Sequence, residues 1–311
     1  MKFRYAIAAA FLVLVSASFG QAPAEKLLAQ GRADEALRLL AQPRNAHEFN
    51  LQCRVFYQLE QWEPAVAACQ KAVQAEPNNS RYQLWLGRAY GSRAAQVGGI
   101  KAFGLARKTV ASFERAYQLQ PSDEEARHDL AEYYLNAPGI VGGGRDKALR
   151  LAEQAPAPLA AWIRGFAAGG QGNQAETERQ LKLAVQLSGN DGDKWVDLAS
   201  YYLSRKRSSD FEMAAMQALG ARKKSPSVLV DAAALLIRGQ RNYDAAEKAL
   251  RQYLAGATQE SAPAFHAHCI LGHLKQIEGN NAAAAEEYRR ALALASTYRP
   301  AQEALRHLGG R

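Results

Sequence analysis

The chain has 311 residues, 48% hydrophobic and 22% charged, with 39 Lys+Arg against 30 Asp+Glu and a formal net charge of +9. Three cysteines without CxxC spacing exclude a disulfide framework, and past residue 20 no apolar stretch reaches the roughly 20 residues that span a bilayer. The basic excess favours acidic partners or anionic surfaces without choosing between them.

The first element is "MKFRYAIAAAFLVLVSASFGQA". Lys2 and Arg4 precede an apolar run from Tyr5 to Val15 and then small residues, the three-part layout of a secretory signal peptide with cleavage after Gly20. The alternative is an uncleaved anchor. No cysteine follows the run, so a lipid-anchored lipoprotein is not expected, and the chain is expected in the periplasm or outside the cell. Export leaves nucleic acid an improbable ligand, and without Lys2 and Arg4 the net charge is +7.

From residue 21 onward alanine and leucine recur at helical spacing, and β-branched alternation is hard to find. "AEKLLAQGRADEALRLLAQP" reads as a short first hairpin. Ala46 to Asn79 then makes a unit of 34 residues, with Phe49, Cys53 and Phe56 at its fourth, eighth and eleventh positions and Ala65, Ala72 and Pro77 at its twentieth, twenty-seventh and thirty-second. Small residues at the eighth and twentieth positions let two helices approach, and the proline ends the second. This pattern resembles the tetratricopeptide repeat. Cys53 and Cys69 either pair in an oxidising compartment or pack as small apolar residues.

The next unit, from Ser80, places Leu86, Gly87 and Tyr90 in the same register but carries ten extra residues before Pro121, near positions 93–108. A lengthened second helix from about Ile100 to Leu119 is expected. The third unit, from Glu124, holds Leu130, Ala131 and Tyr134, then "PGIVGGG" within 138–144. That glycine run invites a phosphate-binding reading, but GxxxxGK[ST] after a buried strand is missing. Residues 158–191 keep only the second-helix pattern. Trp195, Leu198, Ala199 and Tyr202 restore the register, 227–258 retain it, and Leu271, Gly272, Gly279, Ala284, Tyr288 and Ala291 match it closely. "RPAQEALRHLGGR" reads as a capping helix.

The resemblance covers about residues 22–310 and implies an all-α, right-handed superhelical solenoid of about seven antiparallel hairpins in one elongated domain, residues 21–311. In the family the second, fifth and ninth positions line the concave surface. In the first three units these include His47, Asn50, Arg54, Arg81, Leu84, Arg88, His128 and Glu132. No Asp or Glu stands between Glu76 and Glu114, whereas Arg81, Arg88, Arg93, Lys101, Arg107 and Lys108 do. Insertion and glycine loop are therefore expected to pack as a basic ledge, or the loop simply covers the longer helix. The glycine-rich connector is similar to that of a group of exported bacterial members, from which no activity carries over.

His266, Cys269 and His273 fall on one helical stripe, at spacing that would suit a transition metal or, more simply, a polar groove wall. HExxH and GxSxG are missing, and the tyrosine and tryptophan pairs read as packing. The expected function is a scaffold or assembly factor of the bacterial envelope that binds an extended polypeptide in its groove. It would be no enzyme and need no cofactor. The alternatives are a binder of anionic envelope polymers or lipid head groups, and a metal or thiol protein built on His266, Cys269 and His273.

Overall fold

The computed structural model describes residues 21–222 and 224–309; the expected signal peptide lies outside them. Within them 17 α-helices follow one another. The only extended pairing described is an isolated bridge between Gln259 and Ala262. Sixteen helices pair as hairpins. They are α1 (Gln21–Ala29) with α2 (Ala33–Leu39), α3 (Ala46–Gln58) with α4 (Trp62–Ala75), α5 (Ser80–Gln96) with α6 (Gly99–Leu119), and α7 (Glu124–Asn136) with α8 (Arg145–Glu153). They continue with α9 (Ala157–Gly169) and α10 (Gln174–Leu187), α11 (Gly192–Ser204) and α12 (Ser208–Gly220), α13 (Val228–Arg238) and α14 (Tyr243–Ala255), and α15 (Ala264–Ile277) and α16 (Asn281–Leu294). The last helix is α17 (Arg299–Gly309). The short first unit is itself a hairpin, so the described array holds eight.

Close approach explains the small residues. A Cβ on Gly87 would stand 2.4 Å from the Phe113 ring, and one on Gly272 would stand 2.7 Å from Tyr288. Six hairpins turn in the same way, on a residue in the left-handed region: Gly31, Glu60, Gly172, Lys206, Gln240 or Gly279. The next N–H then donates to a carbonyl in the last turn of the first helix, as Gln61 does to Phe56 and Arg207 to Tyr202. This satisfies a helix end that would otherwise be orphaned.

The two exceptions are the units with inserted residues. In the first, the extra length is shared: α5 has 17 residues against 13 in α3, and α6 has 21 against 14 in α4. In the second, a 3-10 turn (Gly139–Val141) and the glycine run join α7 to α8. The glycine N–H groups are all engaged inside the chain: Gly142 donates to Gly139, Gly143 to Pro138 and Gly144 to Tyr134. A phosphate therefore finds no free amide cradle there. The run also lies on α6. A Cβ on Gly142 would stand 2.9 Å from Val110, and the Tyr133 hydroxyl is 2.7 Å from the Ala106 carbonyl and 2.8 Å from that of Val141.

First helices touch one another at most of the steps between hairpins, as α3 touches α5, α7 touches α9 and α11 touches α13, which sets them on the inner side of the curve. The array does not stay an open rod. Its ends meet, and one apolar cluster joins Leu28, Ala33, Leu51, Val55 and Leu59 to Phe265, Tyr288, Ala291, Tyr298 and Ala301. Polar contacts cross the same seam. Gln58 donates to the Glu260 carbonyl at 2.9 Å, the Ser296 N–H to Asp34 at 2.9 Å, and Gln61 to the Thr297 hydroxyl at 2.8 Å. The apolar face that the capping helix α17 was expected to cover is thus also covered by α1 to α3. Closure removes the exposed ends that an open solenoid must cap separately.

Candidate functional site

The inner wall of the first hairpins carries a continuous belt of paired side chains. Arg54 on α3 reaches across the seam and donates from both edges of its guanidinium to Glu260, from Nε at 2.7 Å. Its guanidinium lies 5.6 Å from the ring centre of Trp85, and that of Arg88 lies 4.8 Å from the same ring. Arg88 in turn donates to Asp129 at 2.5 Å and Glu125 at 3.2 Å. His128 stands 3.7 Å from Asp129, and its ring packs on Trp162 with centres 4.4 Å apart. Burial alone would push the Asp129 carboxyl up. The His128 hydrogen bond and the Arg88 guanidinium outweigh that, holding it below the usual carboxylate range.

Beside this belt, α5, α7, α9 and α11 enclose a cavity of about 360 Å³. Arg88, Glu125, His128, Asp129 and Lys194 supply its charge, and Pro156, Pro158 and Leu159 its apolar floor. Farther along, the wall turns acidic. The Glu132 carboxyl, although its side chain reaches solvent, is raised first by the protein wall around it, with Asp129 and Asp197 adding to the effect against the opposing charge of His128. Asp231 on α13 is pushed up to about 6, first by the surrounding wall and then by Asp193 and Asp197, although a path to solvent remains. Lys194 lies 3.0 Å from Asp197 and offsets part of this charge.

The positions expected to meet a partner are thus divided. Arg88 and His128 line the cavity, and Glu132 is exposed beside it. Four others are taken up by the chain itself. His47 pairs with Glu25 at 3.1 Å, Arg54 with Glu260, Asn50 is 1% exposed, and Leu84 is 2% exposed in the core. Helix register alone cannot show what covers a face, and here α1 and the segment before α15 cover that of α3. Arg81 is exposed, and Arg93 pairs with Glu63 at 2.8 Å. Lys101, Arg107 and Lys108 lie on α6 away from the inner wall, with Arg107 over Phe103 and Lys108 over Tyr90.

Asp129, Trp85, Lys194, Asp231 and Glu260 were missed. Asp129 is one place off the fifth position. Glu260 lies in an irregular segment 206 residues from its partner, where no sequence signal points to it. The metal reading also loses its ligand set. Cys269 and His266 are largely enclosed by protein: burial, with Glu60 adding, pushes the Cys269 thiol up to about 12, and burial lowers the His266 imidazole. No cluster of three or more His, Cys, Asp or Glu suited to a metal occurs among the described residues. The other two cysteines, Cys53 and Cys69, form a disulfide that ties α3 to α4, with Cα atoms 5.2 Å apart.

No family model matches the chain, and no curated protein matches it. Among solved structures it is similar to a chain of the APC/C hetero-tetramer Cut9–Hcn1, at a TM-score of 0.42 and 16% identity, over 94% of this chain and 56% of that one. The chain thus spans little more than half the length of that relative. It is also similar to a thermophilic TPR protein of Thermus thermophilus, at 0.45 and 18% over 70% of this chain and 97% of that one. A third is PilW, a type IV pilus biogenesis factor, at 0.41 and 14% over 68% and 93%. The molecule's own succession of hairpins, with small residues at the helix contacts and a shared left-handed turn, makes it an all-α helical-repeat solenoid, the architecture that the tetratricopeptide resemblance implies.

Proposed function

We propose that this chain is a scaffold or assembly factor of the bacterial envelope, holding another polypeptide against its inner wall. The observation that carries the reading is the cavity where four first helices converge. It joins the fixed charges of Arg88, Asp129 and Lys194 to an apolar floor of Pro156, Pro158 and Leu159. An extended segment suits such a surface, since paired side chains fix its register and the floor takes its apolar groups. Carboxylates crowded on α7, α11 and α13 favour a segment that is basic where it crosses them, because a cation there relieves their mutual repulsion. The belt residues bond to one another rather than to an activated nucleophile, which favours binding over catalysis. The Cys53–Cys69 disulfide and the N-terminal signal pattern support an oxidising compartment.

A photo-crosslinking residue in place of Glu132, compared with one in place of Lys182 on α10, tests this in the envelope of the producing cell. A polypeptide adduct is expected at 132 and weakened by Asp197→Lys with Asp231→Lys. Equal adducts at both sites, or none at 132, would remove the reading.

A further inference from the structure

The lengthened hairpin and the turn beside it end in an exposed apolar tip. Ile100 is 91% exposed and Ile140 76%, the two most exposed large hydrophobic residues described, and Phe103 is 38% exposed. Ile100, Phe103 and Arg107 are spaced to share one face of α6. The turn that bears Ile140 is held to that helix by the Tyr133 hydroxyl, which spans the Ala106 and Val141 carbonyls. The tip is convex. At Gly98, Gly99, Gly104 and Gly139 nothing lies within 4 Å of where a Cβ would stand. Lys101, Arg107 and Lys108 surround it without a carboxylate in pairing distance among the described residues, and Arg145 follows with Asp146 at 3.6 Å.

Exposed aliphatic side chains on a protruding edge, ringed by cations, match the layered chemistry of a bilayer interface: hydrocarbon beneath, phosphate above. A folded partner would need a surface shaped to these side chains, whereas fluid lipid adapts to any exposed edge. We propose that this edge docks on anionic phospholipid, with Ile100, Phe103 and Ile140 entering the acyl boundary and Lys101, Arg107 and Lys108 meeting headgroup phosphates. The site is separate from the inner wall, so a membrane-bound scaffold would keep its groove free.

The test is cosedimentation of the chain from residue 21, which holds every described hairpin and omits the apolar Tyr5–Val15 run, with two kinds of vesicle. Binding is expected to mixed phosphatidylethanolamine and phosphatidylglycerol and not to phosphatidylcholine alone. Ile100→Ser with Ile140→Ser should weaken it by about tenfold or more, since aliphatic burial in lipid is lost, while leaving the melting temperature unchanged. Ile100→Trp with Ile140→Trp should bind more tightly. Failure of the parent to bind anionic vesicles at low salt overturns the proposal, as does capture of a polypeptide by this edge without vesicle binding. So does binding that survives the serine pair but vanishes in Lys101→Glu, Arg107→Glu, Lys108→Glu, which would mark a site for soluble polyanions.

Discussion

The hairpins α5 to α8 present two surfaces built from similar residues and governed by different rules. On the inner wall Arg88 is bound to Asp129 and Glu125 and stacked on Trp85. On the outer edge Lys101, Arg107 and Lys108 are exposed, with no carboxylate paired to them among the described residues. A cation enclosed by protein needs a partner because its lost hydration must be replaced, whereas a surface cation stays hydrated. Inner charges therefore set geometry, and outer charges set a field. The same contrast separates the sealed Arg54 from the open Arg81.

Substitutions should divide along this line. Glu260→Ala strands the Arg54 guanidinium, whose side chain is 9% exposed, and should cost about 3 kcal/mol or more in denaturant unfolding. Small-angle scattering should also show a larger radius as the seam opens, and an unchanged radius would mean that the apolar cluster closes the array unaided. Cys53→Ala with Cys69→Ala frees the helix that carries Arg54. For two cysteines 16 apart in sequence the loss should be about 3 kcal/mol. Asp129→Ala should cost about 2 kcal/mol, because Arg88 keeps Glu125 and partial access to water. The Asp129 carboxyl is depressed, so its contribution is present above the ordinary carboxylate value and fades as pH falls through the lowered one. The gap between parent and variant should therefore narrow in acid.

Asp231→Asn should act with the opposite sign. A raised carboxyl pKa makes the folded state bind the proton more tightly than the unfolded one, so the parent loses stability as pH climbs from 3.8 through about 6. The variant should melt higher than the parent above pH 6 and equally below 3.8. A melting difference that does not change with pH would place Asp231 outside the acidic wall. Last, Lys101→Glu, Arg107→Glu and Lys108→Glu together should change stability by about 0.5 kcal/mol or less, as expected for exposed charges. A larger loss would erase the contrast between edge and wall.

Local register was readable because repeated helix contacts demand small residues at fixed intervals. Gly87 and Gly272 announced the positions where Phe113 and Tyr288 now press. The lengthened α5–α6 hairpin was readable as surplus length, but its division between α5 and α6 depended on where the glycines let a helix stop. The candidate site was legible only in part. Ninth positions pointed to Arg54 and Arg88, yet nothing near Arg54 in the chain indicates Glu260, and Leu84 carries no mark that it is core rather than wall. Ile100 and Ile140 looked like ordinary helix and loop residues until their exposure was seen.

The sequence by itself determined the helices, their pairing and the turns between them, since these depend on residues within about one repeat of each other. Only the tertiary structure decided that the two ends join, which first-helix faces stay open and which charges are paired. Those outcomes sum small rotations over eight hairpins, and they bring together groups more than 200 residues apart that no local pattern connects.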